Sequence, residues 1–325
     1  MNVLIADKFE TAGIDALKTL GCRVVCKPQL DGDALRAALA AEAFELLIVR
    51  STKVTSPMLS AAPTLKMVIR AGAGCDTIDV PTATRRGVAV CNCPGMNSVA
   101  VAELTLGLMI ALDRRIVDET DDLRRGIWNK KEYSKARGLK GRTLGIVGLG
   151  RIGYEVAKRA QAFEMELVYH DEVTRPDVEA ELGITKVPFE TLLEMSDFVT
   201  LHVPGGTETS HLIGSAELAM MKPTAFLINC SRGGIVHEQA LADALSGGKL
   251  AGAALDVYEM EPAATEYEFK DAIAHVPHVY GTHHVGASTE QAQCAIADEV
   301  VRIVQTYLRD GATLNCVNPP AAVKA

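Results

Sequence analysis

The sequence predicts an α/β protein built on parallel sheets, and three observations carry that prediction. Short apolar runs alternate with segments of helical periodicity from one end of the chain to the other, the pattern of a sheet wrapped by helices. One run, Leu144-Gly145-Ile146-Val147, feeds directly into Gly148-Leu149-Gly150-Arg151-Ile152-Gly153, and Ile152, Val156 and Ala160 then continue at helical spacing. Six strand-like runs lie between Thr143 and Thr282, enough for one complete doubly wound sheet.

In the first part, residues 3–6, 23–26, 46–49, 67–69 and 88–91 read as strands. Between the first two, Ile14, Leu17 and Leu20 recur at spacing three, and Asp31 is placed to cap a helix carrying Leu35 and Leu39. Loop chemistry concentrates at Cys93-Pro94-Gly95-Met96-Asn97-Ser98, where Ser98 is placed to cap the apolar run 99–112. A helix that apolar on most sides must be buried between domains or subunits. The second part opens at Gly138-Leu139-Lys140-Gly141, and its strands are expected at 143–147, 166–169, 198–201, 225–229, 251–255 and 279–282. Pro204-Gly205-Gly206, Gly233-Gly234, Gly247-Gly248 and Glu261-Pro262 punctuate them.

At 325 residues, the chain has room for about two domains of roughly 150 residues each. Its 48% hydrophobic content supplies buried cores and excludes a disordered chain. Basic residues number 33 and acidic ones 41, a net charge of −8, which argues against a nucleic-acid or anionic-membrane surface. Asp7 and Lys8 interrupt what would be the apolar core of a signal peptide, and the run 99–112 carries Glu103 and is too short to span a bilayer. The eight cysteines form neither a paired framework nor a CxxC motif, so they read as reduced cytoplasmic thiols.

The glycine turn has a specific physical use. Gly148 makes the tight turn, Gly150 lets the backbone approach a pyrophosphate, and Gly153 allows the helix to pack closely on the strand. The second strand ends in Tyr169-His170-Asp171, where an acidic side chain accepts hydrogen bonds from the adenosine ribose hydroxyls. A carboxylate there repels a 2′-phosphate and favours NAD over NADP, with Arg175 nearby pulling the other way.

Three polar groups follow predicted strands of this second part: Arg232, Glu261 and His284. Carboxyl strand ends are where open α/β sheets bind ligands. Oxidising a 2-hydroxy acid requires its carboxylate to be held, its hydroxyl proton removed and its C2 hydrogen aimed at a nicotinamide. An Arg fork grips carboxylate and C2 oxygen, a neutral His takes the proton, and a Glu orients the ring and favours imidazolium. Singly, each residue has an ordinary structural use; the shared edge is what raises the set. His275, His278, His283 and His284 invite a metal reading, but no second cluster has zinc-protease spacing, so no metal is expected. No G-x-S-x-G elbow supports Ser-based hydrolysis.

The glycine turn, together with Asn229-Cys230-Ser231-Arg232-Gly233-Gly234-Ile235-Val236, Ala254-Leu255-Asp256-Val257-Tyr258-Glu259-Met260-Glu261-Pro262 and His284-Val285-Gly286-Ala287-Ser288-Thr289, resembles the D-2-hydroxyacid dehydrogenase family over nearly the whole chain. The resemblance implies two flavodoxin- or Rossmann-like domains with the active site in their cleft. Residues 1–98 plus 288–325 would form the substrate-binding domain and residues 99–287 the NAD-binding domain. It implies Arg232, Glu261 and His284 as the catalytic three. It implies NAD held by Gly148, Gly150, Arg151, Ile152, Gly153, Asp171, Pro204, Cys230, Asp256 and Gly286, with Asp256 bonding the carboxamide. Arg50, Ser51, Arg70, Gly72, Asn97 and Lys130 look like family positions that contact 3-phosphoglycerate, whose phosphate and carboxylate two Arg and a Lys would offset.

The expected activity is therefore NAD-dependent oxidation of D-3-phosphoglycerate to 3-phosphooxypyruvate, the first step of serine biosynthesis. The alternatives are a glyoxylate or hydroxypyruvate reductase, another D-2-hydroxyacid dehydrogenase or, from a different class, an NADH-sensing corepressor-like binding protein. The expected partners are a phosphorylated 2-hydroxy acid and a second copy in a homodimer, with a tetramer as the alternative; nucleic acid and membrane are not expected. The expected location is the cytoplasm. Two features depart from the family pattern: His283 stands where Pro is usual, and Pro204-Gly205-Gly206 replaces a bulkier loop near the nicotinamide. The chain stops soon after Val317-Asn318, so inhibition by serine is not expected.

Overall fold

The computed structural model describes residues 1–262 and 269–319. The chain runs β1 (Asn2–Ile5), α1 (Thr11–Thr19), β2 (Arg23–Cys26), α2 (Gly32–Ala41), β3 (Leu46–Val49), α3 (Ser56–Ala61), β4 (Met67–Arg70), α4 (Val80–Arg85) and β5 (Ala89–Asn92). Three helices follow: α5 (Ser98–Arg114), α6 (Ile116–Arg124) and α7 (Lys130–Tyr133). Next come β6 (Thr143–Val147), α8 (Arg151–Ala162), β7 (Glu166–His170), α9 (Pro176–Leu182), β8 (Thr185–Lys186), α10 (Phe189–Met195) and β9 (Phe198–Leu201). The rest is α11 (Ser215–Met220), β10 (Phe226–Asn229), α12 (Glu238–Ser246), β11 (Gly252–Leu255), a 3-10 turn (Ala272–His275), β12 (Val279–Gly281) and α13 (Glu290–Asp310).

These elements form two compact units, Met1–Asn97 with the chain from Ser288 onward, and Ser98–Ala287. Ser98, grouped with the first domain on sequence grounds, is the first residue of α5 and counts with the second unit.

The first unit is a five-stranded parallel sheet in the order β2-β1-β3-β4-β5. β3 is buried at all four positions, which is why it reads as an unbroken apolar run rather than an alternating one. Leu47 and Val49 pack on one face with Leu4, Leu35, Leu39 and Leu59. Leu46 and Ile48 pack on the other with Val3, Ile5 and Leu17, and there α13 contributes Ile296, Val300, Ile303 and Val304. After α13 the chain covers the edge of β5: Val317 donates to the Val90 carbonyl at 2.8 Å, and Cys91 pairs with Cys316 in an antiparallel bridge.

The second unit is a seven-stranded parallel sheet in the order β12-β11-β10-β9-β6-β7-β8. This is the dinucleotide-domain order, with the reversal of strand order falling between β6 and β9. β9 and β11 are buried throughout. The inward side of α5 places Val101, Leu108, Met109 and Leu112 against Ile146, Ile228 and Ala254. Beneath it lies a buried ion pair, Arg142 Nη1 to Asp113 Oδ1 at 2.8 Å, with the guanidinium stacked 4.2 Å from the Phe198 ring. Asp113 also accepts from Gly138 N–H at 2.9 Å, which fixes the chain's approach to β6.

Every expected strand is present, with ends shifted by no more than a residue or so. The sequence reading assigns no element to β8, which at two residues is too short to show a period, nor to α6 and α7. No helix among the described residues is long and apolar enough to cross a membrane.

Candidate active site

The glycine turn lies at the switch point of the second sheet. Gly148 has φ +93°, and a Cβ there would stand 2.6 Å from the His202 carbonyl oxygen at the end of β9. A Cβ on Gly153 would fall on the Gly148 carbonyl, whereas one on Gly150 would meet nothing within 4 Å. α8 begins at Gly150 with no side-chain cap. The N–H groups of Arg151, Ile152 and Gly153 have no hydrogen-bond partner among the described residues. Close packing behind, open space in front and three unpaired donors at a helix N-terminus fit a pyrophosphate. Asp171 sits against the same turn, accepting from Leu149 N–H at 2.7 Å and Val173 N–H at 2.9 Å. Arg175, the cation that would have welcomed a 2′-phosphate, is paired with Asp177 at 3.0 Å and bonded to the Leu149 carbonyl.

Arg232, Glu261 and His284 follow β10, β11 and β12, three adjacent strands of this sheet. His284 Nδ1 lies 2.8 Å from Glu261 Oε2, and Glu261 Oε1 accepts from Tyr258 N–H at 3.2 Å. Burial pushes the Glu261 carboxyl up, but the His284 hydrogen bond and charge, the Tyr258 N–H and the Arg232 charge together hold it below its ordinary range. Glu261 is thus within electrostatic reach of both His284 and Arg232. Asn229 shapes the turn that carries Arg232, donating to the Arg232 carbonyl and accepting from Ser231 N–H, both at 3.0 Å. Gly205 would bring a Cβ within 3.0 Å of Arg232 Cγ, so the unusual Pro204-Gly205-Gly206 loop lies along the arginine stem, where a larger residue would crowd it.

His284 itself has φ +51°, a left-handed conformation that costs a residue with a Cβ. Its neighbours hold it there through Asp256, which is 1% exposed and accepts from Val285 N–H and Gly286 N–H at 2.9 Å and from the Thr282 hydroxyl at 2.6 Å. The residue expected to bond a carboxamide therefore also anchors the loop carrying the histidine. Cys230 is buried and its thiol is pushed up to about 12 by burial, so it lines this edge as an uncharged group. His283 is exposed, with no hydrogen-bond partner among the described residues. No metal-ligating group of three or more His, Cys, Asp or Glu occurs among the described residues.

Sequence reasoning missed four contributors: Thr282, Asn229, the Tyr258 N–H and an exchange between Glu238 and Glu259. In the exchange, Glu238 N–H donates to Glu259 Oε1 at 3.1 Å and Glu259 N–H to Glu238 Oε1 at 2.8 Å, tying α12 to the turn that carries Glu261. Burial, and next to it the Asp271 carboxyl, raises Glu238 to about 8. An Asn two residues before a Ser-Arg-Gly turn is a local signal that sequence offers; the Glu238 exchange has none.

In the first unit, Arg50, Ser51, Arg70 and Gly72 share the carboxyl edge of β3 and β4. The Asp7 carboxylate accepts from the N–H groups of Arg50, Ser51 and Thr52 at 2.6, 3.1 and 3.1 Å, and Arg50 Nη2 donates to Ser288 Oγ at 3.1 Å. The Arg70 guanidinium lies across Gly72, where any Cβ would collide with it. Asn97 Oδ1 and Thr77 Oγ1 are buried without a partner among the described residues. Lys130 is not brought to the carboxyl edge of the second sheet. It opens α7, whose Glu132 and Tyr133 line a cavity of about 330 Å³ with Phe226, Ala251 and His278 at the amino-terminal edge of the second sheet.

The doubly wound sheet carries this glycine turn, and an arginine, a glutamate and a histidine follow the carboxyl ends of three adjacent strands. Residues 106–286 match the family described as D-isomer specific 2-hydroxyacid dehydrogenase, NAD binding domain, and the chain belongs to that family. It is 40% identical over 322 residues to D-3-phosphoglycerate dehydrogenase of Methanocaldococcus jannaschii, covering 98% of this chain and 60% of the relative. It is 42% identical over 283 residues to glyoxylate reductase of Thermococcus litoralis, covering 85% of this chain and 84% of the relative. Among solved structures, D-lactate dehydrogenase from Aquifex aeolicus, complexed with NAD and lactic acid, superposes with a TM-score of 0.85 at 29% identity, covering 99% of this chain and 100% of that one. The chain spans about 60% of the length of the phosphoglycerate dehydrogenases it matches.

Proposed function

We propose that the protein oxidises the 2-hydroxyl of D-3-phosphoglycerate with NAD, giving 3-phosphooxypyruvate. The observation that carries this reading is the 2.8 Å pair of His284 and Glu261 beside Arg232 on three adjacent strand ends. With Nδ1 committed to Glu261, Nε2 of His284 is the nitrogen that takes the hydroxyl proton. Glu261, held below its ordinary range, stays a carboxylate and stabilises the imidazolium as the proton arrives. Arg232 holds the substrate carboxylate and C2 oxygen through its planar fork. NAD, when bound, supplies the hydride acceptor.

The N–H groups of Arg151, Ile152 and Gly153 would hold the pyrophosphate and Asp171 the ribose hydroxyls, while Pro204, Cys230, Asp256 and Gly286 would line the nicotinamide end. The commitment of Arg175 to Asp177 supports NAD over NADP. In the first unit, Arg50, Ser51, Arg70, Gly72 and Asn97 would take the phosphorylated end of the substrate. Lys130, at the other edge of its sheet, has no part in this reading. The reading includes a homodimer in the cytoplasm. The exposed apolar residues Ile116, Val117, Leu123, Ile127 and Trp128 support an association surface, and sedimentation of the purified protein tests it.

The deciding experiment is a steady-state comparison of substrates. NADH formation from 3-phosphoglycerate should exceed that from unphosphorylated glycerate by about tenfold or more in kcat/KM, the value of one charge-assisted phosphate contact. A second reading, reduction of glyoxylate or hydroxypyruvate, is favoured by the Thermococcus relative, which the chain matches over 84% of its length. Turnover of glyoxylate with none of either phosphorylated acid selects it. NADH binding with no turnover of any hydroxy acid would overturn both in favour of a sensor.

A further inference from the structure

Cys91 and Cys316 face each other where the chain after α13 covers the edge of β5. They are register partners in an antiparallel bridge, and the hydrogen bonds flank them: Val317 donates to Val90 at 2.8 Å and Asn92 to Asn315 at 3.3 Å. This is the narrow, non-hydrogen-bonded kind of antiparallel pair, whose Cα atoms stand about 4.5 Å apart. That spacing falls inside the roughly 4.4–6.8 Å spanned by disulfide-linked residues. Both side chains pack on the same face of the first sheet as Cys93, Ile296 and Val300. Cys75 packs with the opposite face. Asn318 fixes the incoming segment. Its Oδ1 accepts from Val90 N–H at 2.7 Å and from the Cys316 thiol at 3.4 Å, and its amide donates to Val88 O and Thr84 Oγ1, both at 3.0 Å.

We propose that Cys91 and Cys316 form a thiol modification site, in which a peroxide joins them as a disulfide that fastens the segment after α13 to the edge of the first sheet. Cys316 is half-buried and Cys91 fully buried, so Cys316 reacts first. Its thiolate attacks one peroxide oxygen, the O–O bond breaks, and a molecule of water departs, leaving a sulfenic acid. The Cys91 sulfur then attacks the Cys316 sulfur; the S–S bond forms, the S–O bond breaks, and the hydroxyl leaves as water with the Cys91 proton. With hydrogen peroxide, two thiols lose two electrons and two protons while the peroxide is reduced to two waters. Burial pushes the Cys91 thiol up to about 12, which slows the second step and gives the sulfenic acid time to be trapped.

The full chain, treated with hydrogen peroxide, alkylated and digested without reductant, should yield one peptide pair joined through Cys91 and Cys316. Two of the eight thiols should be lost, and dithiothreitol should restore both. Tm should rise by about 5 °C or more on oxidation, a shift that disappears in Cys316→Ser. Cys91→Ser should leave Cys316 as a sulfenic acid that dimedone labels. A joined peptide containing Cys75 or Cys93, Cys316 over-oxidised beside a free Cys91, or all eight thiols intact after treatment would each overturn the assignment.

Discussion

At the carboxyl ends of β10, β11 and β12 the polar side chains are bonded to one another, whereas at the ends of β3 and β4 they are spaced apart and held through backbone. In the second unit His284 meets Glu261, Asp256 gathers three donors from the histidine loop, and Glu238 and Glu259 exchange bonds behind them. In the first unit Asp7 grips three successive N–H groups and leaves the Arg50 side chain to reach Ser288, while Asn97 Oδ1 is buried with no partner among the described residues. Moving a proton demands a preset geometry and orientation. Recognising a charge demands cations and donors at the right edge, with tolerance in their angles. Two sheets of the same winding therefore carry two different kinds of order.

The sharpest test of that contrast is His284→Asn. Asn tolerates the left-handed backbone, so the fold should persist while kcat falls by about two to four orders of magnitude. Near-normal turnover would remove the distinction between the two edges. Arg50→Gln should do the opposite, raising KM for 3-phosphoglycerate by about tenfold to a hundredfold with kcat within about threefold. A matching fall in kcat would mean that the first unit shares the chemistry. Asp171→Asn, which removes a negative charge beside the glycine turn, should raise kcat/KM with NADP by about tenfold and leave the substrate KM alone; unchanged discrimination would locate the preference elsewhere.

The smallest effect belongs to Glu238, whose raised carboxyl binds its proton more tightly when folded than when unfolded. Its contribution to stability is complete below about 4.5 and is lost as pH climbs towards about 8. Glu238→Gln should therefore narrow the gap between urea midpoints measured near these two limits. An unaltered gap would show that other groups set the slope.

What sequence disclosed and what it hid divides along physical lines. Strands buried on both faces, such as β3 and β9, announce themselves as unbroken apolar runs. Arg232, Glu261 and His284 stood out because each follows a strand-like run and precedes a glycine or proline, and the fold brings the last two within 2.8 Å of each other. The Glu238 and Glu259 exchange joins positions 21 residues apart and depends on where α12 docks, so no local pattern reveals it. Lys130 was grouped with the substrate residues by resemblance to family positions, yet the chain turns α7 towards the other end of the sheet. β8 has too few residues for any periodicity.

The left-handed backbone at His284 sets heat resistance against turnover. Glycine at that position would release on the order of 1 kcal/mol of local strain while deleting the proposed proton acceptor. Laboratory selection for survival on heating alone would tend to reward His284→Gly and enrich folded, inert protein; adding a growth requirement for the product should restore the imidazole.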